Sequence, residues 1–118
     1  MSSIKTYKEP RWVALRKRIL VRDKYMDQYW KRYGKFLTAD IVHHVFPVDK
    51  FPEYQWEEWN LVSVSRATHQ QLHDRENDEL TDMGKELLIY IAGKNRIEVP
   101  KWVLDSRKDK KYRYFRHG

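Results

Sequence analysis

Four of the five histidines in this 118-residue chain fall between residues 43 and 73: the doublet His43-His44, then His69 and His73. A neutral imidazole carries a lone pair near pH 7, which makes histidine both the commonest side-chain metal ligand and the usual general base. Residues four apart on a helix share a face, so a helix carrying His69 and His73 would direct both rings at one ion. Adjacent residues of a strand face opposite ways, so one ring of the His43-His44 doublet would turn inward and pack. Taken singly, each half has a plain structural reading, since exposed helical histidines and satisfied core histidines are both common. Taken together, with Asn60 between them, they point to a site. The chain has no cysteine, which rules out disulfides, catalytic thiols and thiolate zinc sites.

Those side chains need elements to position them. Pro10 precedes Arg11–Arg22, where Trp12, Leu15 and Ile19 recur at helical spacing, and a basic helix is predicted over 10–22. Arg11, Arg18 and Arg22 fall on a neighbouring face, turned to a phosphate backbone or to water. Ala39–Phe46, with Ile41, Val42 and Val45, reads as a strand. Pro47 and Pro52 mark a loop whose aromatic residues (Phe51, Tyr54, Trp56, Trp59) predict that it packs. Asn60–Val64 reads as a second strand, and Ser65 is a good N-cap for a helix starting at Arg66 and carrying His69 and His73. A further helix is predicted over 78–92 from Leu80, Met83, Leu87 and Ile91, with Gly93 ending it. Repeats, Gly/Ser linkers and low-complexity tracts are absent, which predicts a single domain over 1–118.

The order strand, loop, strand, helix, with histidine, asparagine and histidine in turn, resembles the HNH endonucleases and their ββα-metal motif. The matching stretch is Ala39-Asp40-Ile41-Val42-His43-His44-Val45-Phe46-Pro47, then Trp59-Asn60-Leu61-Val62-Ser63-Val64, then Thr68-His69-Gln70-Gln71-Leu72-His73. The pattern is most similar to small stand-alone HNH proteins of phages and prophages, and its histidine-rich set is similar to that of the colicin DNases. The resemblance implies an α+β fold with a ββα-metal core over about 38–76 and flanking α-helices. It also implies one-metal hydrolysis of DNA phosphodiester bonds. His43, His69 and His73 would ligate one divalent cation (Mg, Mn, Ni or Zn), His44 would be the general base, and Asn60 would tie loop to strand. Within the doublet the roles of ligand and base are exchangeable, and His73 could instead stand behind a ligand. Many relatives carry two Cys-x-x-Cys knuckles around a structural zinc. The corresponding positions here are Asp27, Trp30, Ser65 and Thr68, so no structural zinc is expected, and Trp30 with the loop aromatics would fill its place by apolar packing.

Charge distribution points to the partner. The 24 Lys+Arg outnumber the 17 Asp+Glu, a net charge of +7. Residues 1–22 hold seven Lys/Arg and one acid, residues 94–118 hold nine and three, and the body between is net acidic. Two basic arms suit a polyanion, and double-stranded DNA is the expected partner. Arg66 and Arg75 flank the histidine helix and could clamp phosphate. In the tail, Lys110, Lys111, Arg113 and Arg116 alternate with Tyr112, Tyr114 and Phe115, a mixture that could stack on bases, grip phosphates or pack on the body. No apolar run reaches the roughly 20 residues that cross a bilayer, and no secretory signal is visible. The expectation is an intracellular protein, in a phage-infected or prophage-bearing bacterium if the resemblance holds, with room for a phage-packaging or other protein partner. Two further readings stand beside the enzyme: a non-catalytic DNA-binding or accessory module with a vestigial metal site, and a structural metal protein closed by three histidines. The coincidence of His43, His44, Asn60, His69 and His73 favours catalysis.

Overall fold

Pro10 opens the first helix, α1 (Pro10–Arg22), at a position where its missing N–H has no intrahelical partner to lose. The structure is a computed structural model and describes residues 9–77 and 79–105. After α1 come α2 (Gln28–Lys31), β1 (Ile41–His44), two 3-10 turns (Pro52–Tyr54 and Glu58–Asn60) and β2 (Leu61–Val64). They are followed by α3 (Arg66–Leu72), β3 (His73–Asp74), β4 (Glu79–Leu80) and α4 (Asp82–Asn95). Helices thus combine with two small antiparallel sheets in an α+β arrangement. Contacts divide the chain into two compact units, the first ending at Gln71 and the second beginning at Leu72. No helix among the described residues is long and apolar enough to cross a membrane.

In the first unit, β1 and β2 pair antiparallel, with Ile41 opposite Val64 and His44 opposite Leu61. The predicted strands are there but shorter: Asn60 ends a 3-10 turn, and the pairing stops there because the Asn60 N–H goes to the Glu57 carbonyl and the Phe46 N–H to the Asn60 side chain. One face of the hairpin is covered by α1, whose Trp12, Leu15, Ile19 and Leu20 bury with Val42 and Leu61 while Trp56 packs alongside. A fully buried side chain of this kind contributes about 1.5–3 kcal/mol, so this seam is the main hold of α1 on the sheet. The loop that follows β1 is packed, as its composition predicted. Phe46 meets Phe51, Tyr54 and Trp59 at ring separations of 5.1, 5.2 and 5.6 Å, all edge to face.

Among the described residues no third strand pairs with the outer edge of β2, and side chains take that place. Residues 61, 63 and 65 turn their backbone groups away from β1, by the alternation of an antiparallel pair. Arg22 donates to the Leu61 carbonyl, Asp23 accepts the Ser63 N–H at 2.9 Å, and Asp27 accepts the Ser65 N–H at 2.8 Å. Arg22 also binds both carboxylate oxygens of Asp23, at 2.8 and 3.0 Å. To bring both acids to the edge, the chain leaves α1 through Lys24 and Tyr25 with φ of 56° and 55°. Left-handed backbone costs about 1 kcal/mol at each non-glycine residue, and the carboxylate bonds offset it.

In the second unit, His73 pairs with Leu80 and Asp74 with Glu79. The hairpin turn is held by Asp74, whose carboxylate accepts the Asn77 amide at 2.7 Å and the Glu76 N–H at 3.0 Å. These bonds, the Asn77 one foremost, hold the Asp74 carboxyl below its ordinary pKa. The helix expected over 78–92 begins four residues later, at Asp82. Leu80 is spent in β4, and Thr81 caps the helix by accepting the Gly84 N–H. Nor does the helix stop at Gly93: it runs to Asn95, and Arg96 takes the left-handed cap at φ 57°.

The two glycines of α4 therefore act differently. A Cβ on Gly84 would lie 2.2 Å from the Leu72 carbonyl oxygen, whereas one on Gly93 would meet nothing within 4 Å. Gly93→Ala is expected to raise stability by about 0.5–1 kcal/mol through helix propensity alone. Gly84→Ala is expected to lower it by about 2 kcal/mol, because backbone must move to admit the methyl. Urea melts of the two variants check both signs. Equal effects would show that Gly84 is not held by close packing.

Candidate functional site

The pleat of the β1–β2 hairpin separates the histidine doublet. His43 shares a face with Val62, and His44 shares the opposite face with Leu61. His43 is 5% exposed, and its ring meets that of His69 edge to face, with centroids 5.4 Å apart. His69 is placed by α3, which starts where the sequence put it: the Ser65 Oγ accepts the Thr68 N–H at 3.1 Å, and the Ser65 carbonyl accepts the His69 N–H at 2.9 Å.

His44 sits on the α1 side, its ring stacked on Trp12 at 5.2 Å and 18°. Its Nε2 lies 3.1 Å from the Gln55 carbonyl oxygen. A carbonyl only accepts, so Nε2 carries the proton and the lone pair of the neutral ring is on Nδ1. Burial pushes the His44 pKa below its ordinary value, and the Gln55 carbonyl works in the opposite sense. Asn60, fully buried, joins the two pieces that frame this ring. Its Oδ1 accepts the Phe46 N–H at 2.7 Å, and its Nδ2 donates to the carbonyls of Phe46 and Tyr54, each at 3.2 Å. It thus fixes the chain just beyond His44 and just before Gln55.

His73 is not on the helix with His69, contrary to the expected pairing. The helix ends at Leu72, and His73 is the first residue of β3, in the second unit. Among the described residues, no three His, Asp or Glu side chains are grouped so as to hold a metal ion. The arginines proposed for phosphate contact are variously engaged. Arg11 lies 4.1 Å from the centre of the Trp56 ring, and Arg18 makes an exposed ion pair with Glu58 at 3.1 Å. Arg22 is held by Asp23, Glu58 and Leu61. Arg66 and Arg75 are exposed, and Lys110, Lys111, Arg113 and Arg116 lie outside the described residues. Sequence reasoning missed Gln55, because a backbone carbonyl has no residue-type signal, and it read Trp12 only as core.

No protein-family model matches the chain, and no curated protein matches it. Among solved structures, the crystal structure of the HNH endonuclease of the deep-sea thermophilic bacteriophage GVE2, with manganese ion, is similar in fold and sequence. The TM-score is 0.56 and the identity 26%, over 58% of this chain and 74% of that one. The chain resembles the HNH endonucleases. In this HNH-like fold Asp27, Trp30, Ser65 and Thr68, which the resemblance matched to knuckle cysteines, are joined by polar bonds, while the Trp30 ring lies against Tyr29 and Tyr33. The Asp27 carboxylate accepts the Trp30 N–H at 2.9 Å and the Ser65 N–H at 2.8 Å, and Ser65 Oγ donates to Thr68 Oγ1 at 2.9 Å. Asp27 and Thr68 are 0% and 1% exposed. A buried carboxylate must find donors, and the starts of α2 and α3 supply them. With no cysteine in the chain, this HNH-like fold has no thiolate zinc knuckle.

Proposed function

We propose that the chain is a metal-dependent endonuclease that hydrolyses DNA phosphodiester bonds with His44 as general base and one divalent cation. The observation that carries this reading is the meeting of the His43 and His69 rings between strand and helix of an HNH-like fold. Imidazoles suit Ni and Zn better than Mn or Mg, which favour oxygen ligands, and the similar phage endonuclease was solved with manganese; all four ions therefore enter the test. His43 and His69 would hold the ion, with His73, four residues along the chain, as third ligand. When bound, the cation supplies neutralisation of the charge that develops on the phosphate.

The division of the doublet into ligand and base is supported by His43, not His44, facing His69. His44 is built for proton abstraction: burial favours its neutral form, and the bond from Nε2 to Gln55 leaves Nδ1 to take the proton of an attacking water. Asn60 is a positioning residue, since it touches the strand and the loop that frame His44 and not the reacting atoms. Double-stranded DNA would be held through its backbone by Arg11, Arg18, Arg66 and Arg75 and by the basic tail, inside the cell, whereas Arg22 is spent on Asp23 and the Glu58 and Leu61 carbonyls.

Supercoiled plasmid incubated with the purified chain and Mg²⁺, Mn²⁺, Ni²⁺ or Zn²⁺ tests the proposal. Nicked or linear product is expected with at least one ion and none in EDTA. DNA binding without cleavage under every ion would make the chain an accessory module. That second reading draws on the lack of three gathered donors among the described residues. A chain that neither binds nor cleaves overturns both.

A further inference from the structure

Residues 29–36 carry a run of rings and cations that the hydrolytic site does not use. Tyr29 and Trp30 lie 5.1 Å apart between ring centres, and Tyr33 lies 5.7 Å from each. The Arg32 guanidinium sits 4.8 Å from the Tyr29 ring and 5.1 Å from the Tyr33 ring, and the Lys35 ammonium lies 5.1 Å from that of Trp30. Phe36 follows, 67% exposed, and Tyr33 is 56% exposed. No acid occurs between Asp27 and Asp40, and Asp27 is itself buried and bonded. The run is held in shape: Gly34 takes φ +77°, its N–H donates to the Lys31 carbonyl at 3.0 Å, and the Asp27 N–H donates to Leu37 at 2.8 Å.

A phenylalanine with two thirds of its surface in water contributes little to folding. Beside lysine and arginine, however, exposed rings match an unpaired nucleic-acid strand, in which π-faces alternate with phosphates. Within a duplex the base faces are already stacked, so such rings find partners only where bases are unpaired. We propose that the exposed rings of Tyr33 and Phe36, with Arg32 and Lys35 beside them and the buried Tyr29 beneath, are a stacking platform for unpaired bases, and that the preferred nucleic acid is a duplex interrupted by a single-stranded bulge or gap. The proposal rests on the nucleic-acid reading above and narrows its substrate class.

Fluorescence anisotropy in EDTA at fixed salt tests it, with the full chain titrated against a fluorescein-labelled duplex of about 30 base pairs and against the same duplex carrying a central unpaired stretch of about four nucleotides. Stacking on even one ring predicts roughly tenfold tighter binding of the interrupted duplex. The double variant Tyr33→Ala/Phe36→Ala should bring the ratio of the two affinities close to one, while Val21→Ala, an exposed change on α1, should leave the ratio as it is. Both rings are exposed, and thermal melts by circular dichroism check that the variant is folded. Equal binding of the two DNAs by the unaltered chain overturns the proposal, as does a double variant that keeps the full ratio. A change from dimer to monomer in the double variant by sedimentation, with the ratio intact, would make the patch a protein interface instead. Because binding is read without metal, failure of the plasmid assay leaves this result standing, and plasmid cleavage with no preference for unpaired DNA sinks this proposal alone.

Discussion

His44→Ala is expected to lower metal-dependent plasmid cleavage by about a hundredfold or more while DNA binding persists, since a positioned general base contributes about 10²–10⁴ in rate. The argument rests on the ring's surroundings. The Gln55 carbonyl fixes the proton on Nε2 and so leaves Nδ1 basic, while stacking on Trp12 holds the ring in one orientation. Alanine also opens space against Trp12, and a lower melting temperature would accompany the lost activity. His44→Gln separates the two effects. Its amide can still donate to Gln55 and fills most of the space, yet it has no basic nitrogen. Both variants should therefore lose activity, with the larger stability change in the alanine variant. Cleavage by His44→Gln at the unaltered rate would remove His44 from the chemistry.

The largest stability effect is expected at Asp27. Asp27→Ala leaves the Trp30 and Ser65 N–H groups without an acceptor beside a wholly buried position. Each unmade buried bond costs about 1–3 kcal/mol, so the first unit should lose about 3–4 kcal/mol, a large part of the 5–15 kcal/mol typical of a domain. Asp27→Asn keeps one acceptor oxygen and sets its amide donor against the other N–H, so it should fall between the two. Urea unfolding followed by tryptophan fluorescence measures the series. A loss below about 1 kcal/mol for the alanine variant would mean that solvent or another side chain replaces the carboxylate, and that the Asp27–Ser65–Thr68 cluster is not what fastens α2 to α3.

These two residues mark what the amino-acid order discloses and what it hides. Pro10, the Trp12-Leu15-Ile19 spacing and the Ser65 cap are local signals, and α1 and the start of α3 lie where they predicted. The β-branched run at Ile41-Val42 likewise sits in β1. The histidine and asparagine positions identified the fold class because their spacing spans the whole ββα unit. Asp23 and Asp27 gave no such sign, since their partners are backbone N–H groups 40 and 38 residues away, and backbone donors have no residue type. The misplaced start of α4 has a similar cause. Leu80 fits the helical period, but pairing with His73 claimed it for a strand, and a pairing partner is not visible in a run of apolar residues. His73 was assigned to a helix for the same reason.

A two-stranded sheet ordinarily exposes a margin onto which a foreign strand can be added, the route by which β-proteins clump or exchange segments. Here the row from Leu61 to Ser65 is already occupied by a guanidinium and two carboxylates of the same chain. An incoming strand would have to displace a bidentate ion pair and a buried acid before making its first hydrogen bond. The molecule thus carries its own guard against templated strand addition along that edge, supplied by the same residues that fold the hairpin.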